Sequence, residues 1–258
     1  MQQQFALHAK EILQADPSVI GLAAAGSWLS NEIDEYSDLD LILVTTQKIS
    51  NNKEQMLKYA GKLGTLLSAF TGEHVGESRL LICLYDAPLL HVDIKFLTLQ
   101  EFGIRIETPF ILLDKEGQLQ EILTQTKANF PYPDYQWIED RFWTWIHYAL
   151  LKTGRGEYLE AFDFTGFLRM VVLGPLLHIR NGNLPRGVRK VETQIDQDDL
   201  SDLLSTVPVY DKASLLNSLL QSVILYRSLR SELFNSNVVL NTRAEESVMN
   251  YFNRIPNK

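Results

Sequence analysis

The chain reads as an α+β protein, a mixed β-sheet with flanking helices followed by an all-α helical bundle. Three observations carry that reading. Short apolar or alternating runs separated by turn residues fill the first half. Long stretches of helical spacing fill the second. Between them lies "ANFPYPDYQ", with two prolines and no hydrophobic period of either kind. The expected division is a domain at 1–128 and a helical domain at 129–258, and 258 residues suffice for both.

Taken in order, "QQFALHAKEILQAD" suits a helix stopped by Asp16-Pro17. "SVIGLAAAG" is a short apolar run closed by a turn signal, as a buried strand would be. "SDLDLILVTT" alternates and then becomes wholly apolar, which suits a strand entering a sheet. Residues 51–71 read as a helix ending near Gly72. "RLLICLYDAPLLHVDIKFLTL" is two strands joined at Asp86-Ala87-Pro88, and "PFILLDKEG" is one more. Beyond residue 130, "WIEDRFWTWIHYALLK", "EYLEAFDFTGFLRMVVLGPLLHI" and "KASLLNSLLQSVILYRSLRSELF" read as helices, the second kinked at Gly174-Pro175. Three of the four tryptophans sit in the first of these, at a spacing suited to a bundle core.

Composition narrows the function. The net charge is −8, and residues 1–128 carry 17 Asp/Glu against 10 Lys/Arg. That balance argues against a broad nucleic-acid or anionic-membrane surface. With no apolar run of about 18–20 residues, no signal-peptide pattern at the N-terminus and one cysteine, Cys83, in an apolar run, the expectation is a cytoplasmic protein with a buried thiol. The apolar helical half offers a surface for a homodimer.

Five carboxylates crowd into residues 32–40, and no Lys or Arg occurs between Lys10 and Lys48. Glu32, Asp34 and Glu35 read as solvated loop charges. Asp38 and Asp40 differ, because residues i and i+2 of a strand share a face, about 6.5–7 Å apart. Two such carboxylates are costly unless a cation joins them, and a hard ion such as Mg²⁺ takes one or two carboxylates plus substrate phosphates. Gly26-Ser27 precedes them after a strand; a helix beginning there would present free N–H groups to an anion, with Gly26 admitting close approach. Asp93, in "LLHVDIKFL", shares a face with His91 and Lys95. Its charge needs water or a ligand beside it. His91 reads as structural.

Strand, Gly26-Ser27, Asp38-Leu39-Asp40 on a strand and Asp93 on a later strand together resemble the polymerase-beta-type nucleotidyltransferase superfamily. Size and helical second half are similar to those of the bacterial aminoglycoside and lincosamide nucleotidyltransferases. The motif spans residues 18–97, and the helical match is looser, over 130–195. The resemblance implies a nucleotidyltransferase fold in the first half, two Mg²⁺ ions held by Asp38, Asp40 and Asp93, and triphosphate held at Gly26 and Ser27. It implies transfer of a nucleoside monophosphate, with ATP favoured as donor, to a hydroxyl of a small molecule. An aminoglycoside- or lincosamide-type antibiotic would make this a resistance enzyme. A protein acceptor and a non-catalytic nucleotide-binding module are the competing readings.

Two features of the second half bear on that chemistry. "RNGNLPRGVRK" carries Arg180, Arg186, Arg189 and Lys190, which can balance the outer phosphates or simply solvate a loop after a helix. Glu157 and Glu160 stand one helical turn apart, suited to a general base or a hook for a cationic acceptor, and equally to the acid-favouring start of a helix.

Overall fold

The computed structural model describes residues 1–30 and 32–255. The chain divides into two compact units, Met1–Phe130 and Pro131–Lys258.

The first unit opens with α1 (Gln2–Gln14), then β1 (Val19–Ala24), β2 (Leu39–Thr45), α2 (Lys53–Lys62), β3 (Thr65–Gly72), β4 (Glu77–Asp86), β5 (Leu90–Leu97), α3 (Leu99–Phe102), β6 (Phe110–Asp114) and α4 (Gln118–Gln125). The strands form one sheet in the order β3-β4-β5-β2-β1-β6. Only β2 and β5 pair in parallel; every other neighbour is antiparallel. Period-2 alternation then sets the faces. Leu39, Leu41 and Leu43 of β2, with Val92, Ile94 and Phe96 of β5, bury themselves in a core that includes Ala6, Leu13, Met56 and Ala60 of α1 and α2. Asp40, Ile42, Asp93 and Lys95 lie on the other face. Farther along that second face, Val44, Leu97, Phe102 and Leu119 close a smaller core with α3 and α4.

The second unit comprises α5 (Tyr135–Arg155), α6 (Tyr158–Leu168), a wide turn of π-helix (Arg169–Leu173), α7 (Gly174–Arg180), α8 (Val191–Gln194), α9 (Gln197–Ser205), α10 (Lys212–Leu233) and α11 (Thr242–Phe252). Asp134, Asp196 and Asp211 cap α5, α9 and α10 with their carboxylates. Phe142 stacks on Tyr226 with ring centroids 3.6 Å apart, and Trp143 is buried beside both. Of the three tryptophans of α5, Trp143 is in the core, Trp145 packs against it half-buried and Trp137 is exposed.

Three expectations need correction. Residues 65–71 are strand, not helix. The helix stops at Leu63-Gly64, and "TLLSAF" pairs with β4 as the sheet's edge. Where a kink is expected at Gly174-Pro175, the irregularity is a π-helical turn placed just before it, over Arg169–Leu173. The missing N–H of Pro175 leaves the Val171 carbonyl without the usual partner, and the chain takes up the mismatch as the π turn that ends at Gly174. An apolar run of membrane-spanning length does exist, at Tyr158–Arg180, with half of its most apolar window buried inside the protein. Its apolar side chains Leu168, Val172, Leu173, Leu176 and Leu177 belong to the core of the unit.

Candidate active site

The site is built on the start of the parallel pair. Asp40 and Asp93 are register partners on β2 and β5, so their Cα atoms are about 4.8 Å apart and their side chains leave the same face. Asp38, expected on the strand with Asp40, instead ends the loop before β2, near enough that its charge adds to the raised pKa of Asp93. The larger cause of that rise is burial of Asp93, and the His91 ring, whose Nε2 lies 2.9 Å from Asp93 Oδ1, works against it. Asp40 and Asp93 therefore share a face at neighbouring register positions, with Asp38 within electrostatic reach of Asp93. His91 serves as a side-chain partner of Asp93.

Gly26 closes this arrangement on the other side. Its φ is +61°, in the region that favours glycine. A Cβ built there would stand 2.0 Å from Asp40 Oδ2, so the backbone of the turn presses on the carboxylate. The Ala25 N–H also donates to the Asp40 carbonyl at 3.0 Å, which ties the turn to β2. No α-helix begins here. Gly26–Trp28 is a single 3₁₀ turn, and the Gly26 N–H already donates to Glu107 Oε1 at 2.9 Å. An extended set of helix N-terminal donors is thus replaced by one short turn holding a carboxylate.

Glu107 is the residue that sequence reasoning missed. It lies 81 positions from Gly26, in a segment with no periodic pattern. Glu77 was missed for the same reason. It accepts from Arg79 at 2.6 and 2.7 Å and from Lys95 at 2.7 Å, and these partners, Arg79 foremost, hold its carboxyl down to about 2.

Asp40, Asp93, Lys95, Glu77 and Glu107 border one pocket of about 220 Å³ within the first unit. Oxygen donors beside a turn that admits no side chain suit a hard cation carrying an anionic ligand. Among the described residues, no three His, Cys, Asp or Glu side chains enclose an ion by themselves. A cation placed here would need part of its shell from groups outside the protein, as Mg²⁺ finds in phosphates.

The remaining candidates belong to the second unit. Glu157 is the N-cap of α6 and pairs with Lys152 at 2.7 Å and Arg155 at 3.8 Å. Glu160 also engages Lys152, at 3.0 Å, and accepts from the Tyr148 hydroxyl, which together lower its pKa. Arg186, Arg189 and Lys190 lie on the loop after α7. That loop is pinned where Gly174 meets the Gly187 carbonyl and where the buried His178 ring bonds the Arg189 carbonyl at 3.0 Å. Arg189 and Lys190 are exposed. Arg180 is not available to phosphate, because its guanidinium is committed to Asp199, which Asn181 also bonds at 2.6 Å.

No family model matches the chain, and no curated protein does. Among solved structures it is similar to an aminoglycoside 6-adenyltransferase from Bacillus subtilis, at 17% identity over 99% of this chain and 98% of that one, TM-score 0.41. It is similar to a nucleotidyltransferase-like protein from Exiguobacterium sibiricum, at 13% identity over 98% and 89%, TM-score 0.33. A STING-associated CdnE c-di-GMP synthase from Capnocytophaga granulosa matches at 15% identity over 90% and 80%, TM-score 0.29. The reading of the site rests on the chain's own residues.

Proposed function

We propose that this protein transfers a nucleoside monophosphate from a nucleoside triphosphate, ATP foremost, to a hydroxyl of a small molecule, releasing pyrophosphate. The observation that carries the reading is the Asp40–Asp93 register pair, with Asp38 beside it and Gly26 pressed against Asp40. Asp38, Asp40 and Asp93 would hold Mg²⁺, two ions in the fullest version. Bound there, the metal supplies charge neutralisation at the reacting phosphoryl group and a lowered pKa for a coordinated hydroxyl.

The chain's own residues supply position. Gly26 and Ser27 form the turn beside Asp40, where a phosphate oxygen would take the Gly26 N–H once Glu107 gives it up. Asp93 is held in a half-buried setting that raises its affinity for a proton, which suits a group placed to accept one from the acceptor hydroxyl. Glu157, bracketed by Lys152 and Arg155, fits an ion-pair corner, so we keep the proton-accepting role with Asp93. Arg186, Arg189 and Lys190 are cations suited to the outer phosphates. An antibiotic acceptor, in the aminoglycoside or lincosamide style, is one member of the substrate class.

Pyrophosphate release from each triphosphate, with Mg²⁺ and a panel of hydroxylated compounds, tests the reading. Asp40→Asn is expected to lower turnover at least a thousandfold with an unchanged circular dichroism spectrum. Retained turnover in that variant overturns it.

A further inference from the structure

The pocket that borders Asp40 and Asp93 has a polarity gradient set by strand alternation. Down the open face of β5 the side chains run Asp93, Lys95, Leu97; down β2 they run Asp40, Ile42. The deep end is closed by Leu97 and Phe102, both buried in the smaller core. The outer wall is the segment after α3, where Ile104 and Ile106 line the pocket while remaining 80% and 55% exposed. Two large aliphatic side chains left in water beside a cavity are unfavourable unless something apolar covers them.

The charged side chains along this pocket already have partners within the protein. Lys95 pairs with Glu77, and Glu77 is further held by Arg79. Glu107 accepts from the Gly26 N–H, and the Arg105 guanidinium donates to Thr126 and to the Leu123 carbonyl. A charged occupant would have to compete with these partners, whereas a neutral one need not. Size adds a limit, since 220 Å³ is less than the roughly 300–1,000 Å³ of drug-sized sites.

We infer that this pocket is the subsite for the acceptor, and that the acceptor is a hydroxylated small molecule with a neutral, apolar ring or chain next to the reacting hydroxyl. The inference rests on the transferase reading for the role of the occupant. A nucleobase is the rival occupant. The pocket is bordered by Asp93, the group placed toward the acceptor, whereas Ser27 and Asp38 do not line it. Its depth is aliphatic, with Phe102 as its one aromatic wall, which offers little to read the edge of a base.

The test uses the full-length protein with isoleucine methyl groups labelled for NMR, titrated with 2-naphthol as a neutral hydroxylated probe. Saturable shifts of the Ile42, Ile104 and Ile106 methyls are expected. Ile104→Glu, at a position exposed enough to tolerate it, should weaken the probe at least tenfold. A non-hydrolysable ATP analogue with Mg²⁺ should leave the probe's Kd within twofold or tighten it. Competition between analogue and probe would assign the pocket to the nucleobase and overturn the inference. So would saturation by kanamycin without saturation by 2-naphthol, and so would the absence of saturable shifts. Pyrophosphate release reads the reaction and not this binding, so the transferase reading and the pocket can fail separately.

Discussion

Glu139 shows what a single carboxylate can hold when its partners come from three elements. It is fully buried on α5 and accepts from Trp143 Nε1 at 3.2 Å, from the Tyr226 hydroxyl at 2.5 Å and from the Asn241 N–H at 2.9 Å. Arg230 lies 3.4 Å away and is shared with Glu245. Replacing one member of such a network leaves the others buried without partners, which costs about 3–5 kcal/mol. Glu139→Ala should therefore lose stability in that range in urea melts of the whole protein, and Glu139→Gln distinctly less. At the candidate site, Glu107 occupies the Gly26 amide that a phosphate oxygen would need. Glu107→Ala is expected to tighten triphosphate binding about tenfold, or ~1.4 kcal/mol, by calorimetry; weaker binding would make Glu107 a ligand instead. These two glutamates were not legible in the sequence. Apart from Trp143, one turn along from Glu139, their partners named here lie 81 to 102 positions away. Asp38, Asp40 and Asp93 were legible because a carboxylate inside an apolar strand pattern is costly by itself.

At the scale of elements, strands with turn signals at both ends were readable. The hairpin at Asp86–Leu90 joins β4 to β5 where Asp86-Ala87-Pro88 indicated. β3 was not, because "TLLSAFTG" follows a true helix with only Leu63 and Gly64 between them. Its burial also alternates weakly at the sheet edge. The reading that merged it with α2 mistook an edge strand for a helical extension. The 3₁₀ turn at Gly26 was likewise read as a helix start, since the capping residue type is the same in both. The start of β4 makes its own prediction. Glu77 has its pKa depressed from 4.5 to about 2, by Arg79 and then Lys95. A depressed folded value stabilises the protein above pH 4.5, and the contribution is lost as pH falls from 4.5 through about 2. The step is of order 2 kcal/mol, given partial solvent exposure. Urea midpoints between pH 2 and 5 should slope less in Glu77→Gln than in the parent; equal slopes would remove the ion pairs from the stability of this sheet.

For the molecule as a whole, the site sets stability against function. In the proposed site Asp40 and Asp93 carry like charges on adjacent strands; burial raises the Asp93 pKa, and the Asp38 charge adds to that rise. Nothing in the folding of either core requires them, since Leu39, Leu41, Val92 and Ile94 bury their own face whatever stands opposite. The same crowding explains why a reaction class could be proposed from three carboxylates while the acceptor could not: charge clustering suggests a cation, but an acceptor is recognised by shape. Two consequences follow for thermal unfolding of the full-length protein. Without divalent ions, Asp40→Asn should raise Tm, because it removes one repelling charge without disturbing the packing. With Mg²⁺, the parent should gain about 2.7 kcal/mol once the ion stands at 100 times its Kd, worth roughly 5–10 °C at this size. The variant should gain much less. A parent Tm indifferent to Mg²⁺ in the presence of a triphosphate would mean that the carboxylates hold no metal, and the transferase chemistry would lose its foundation whatever the fold resembles.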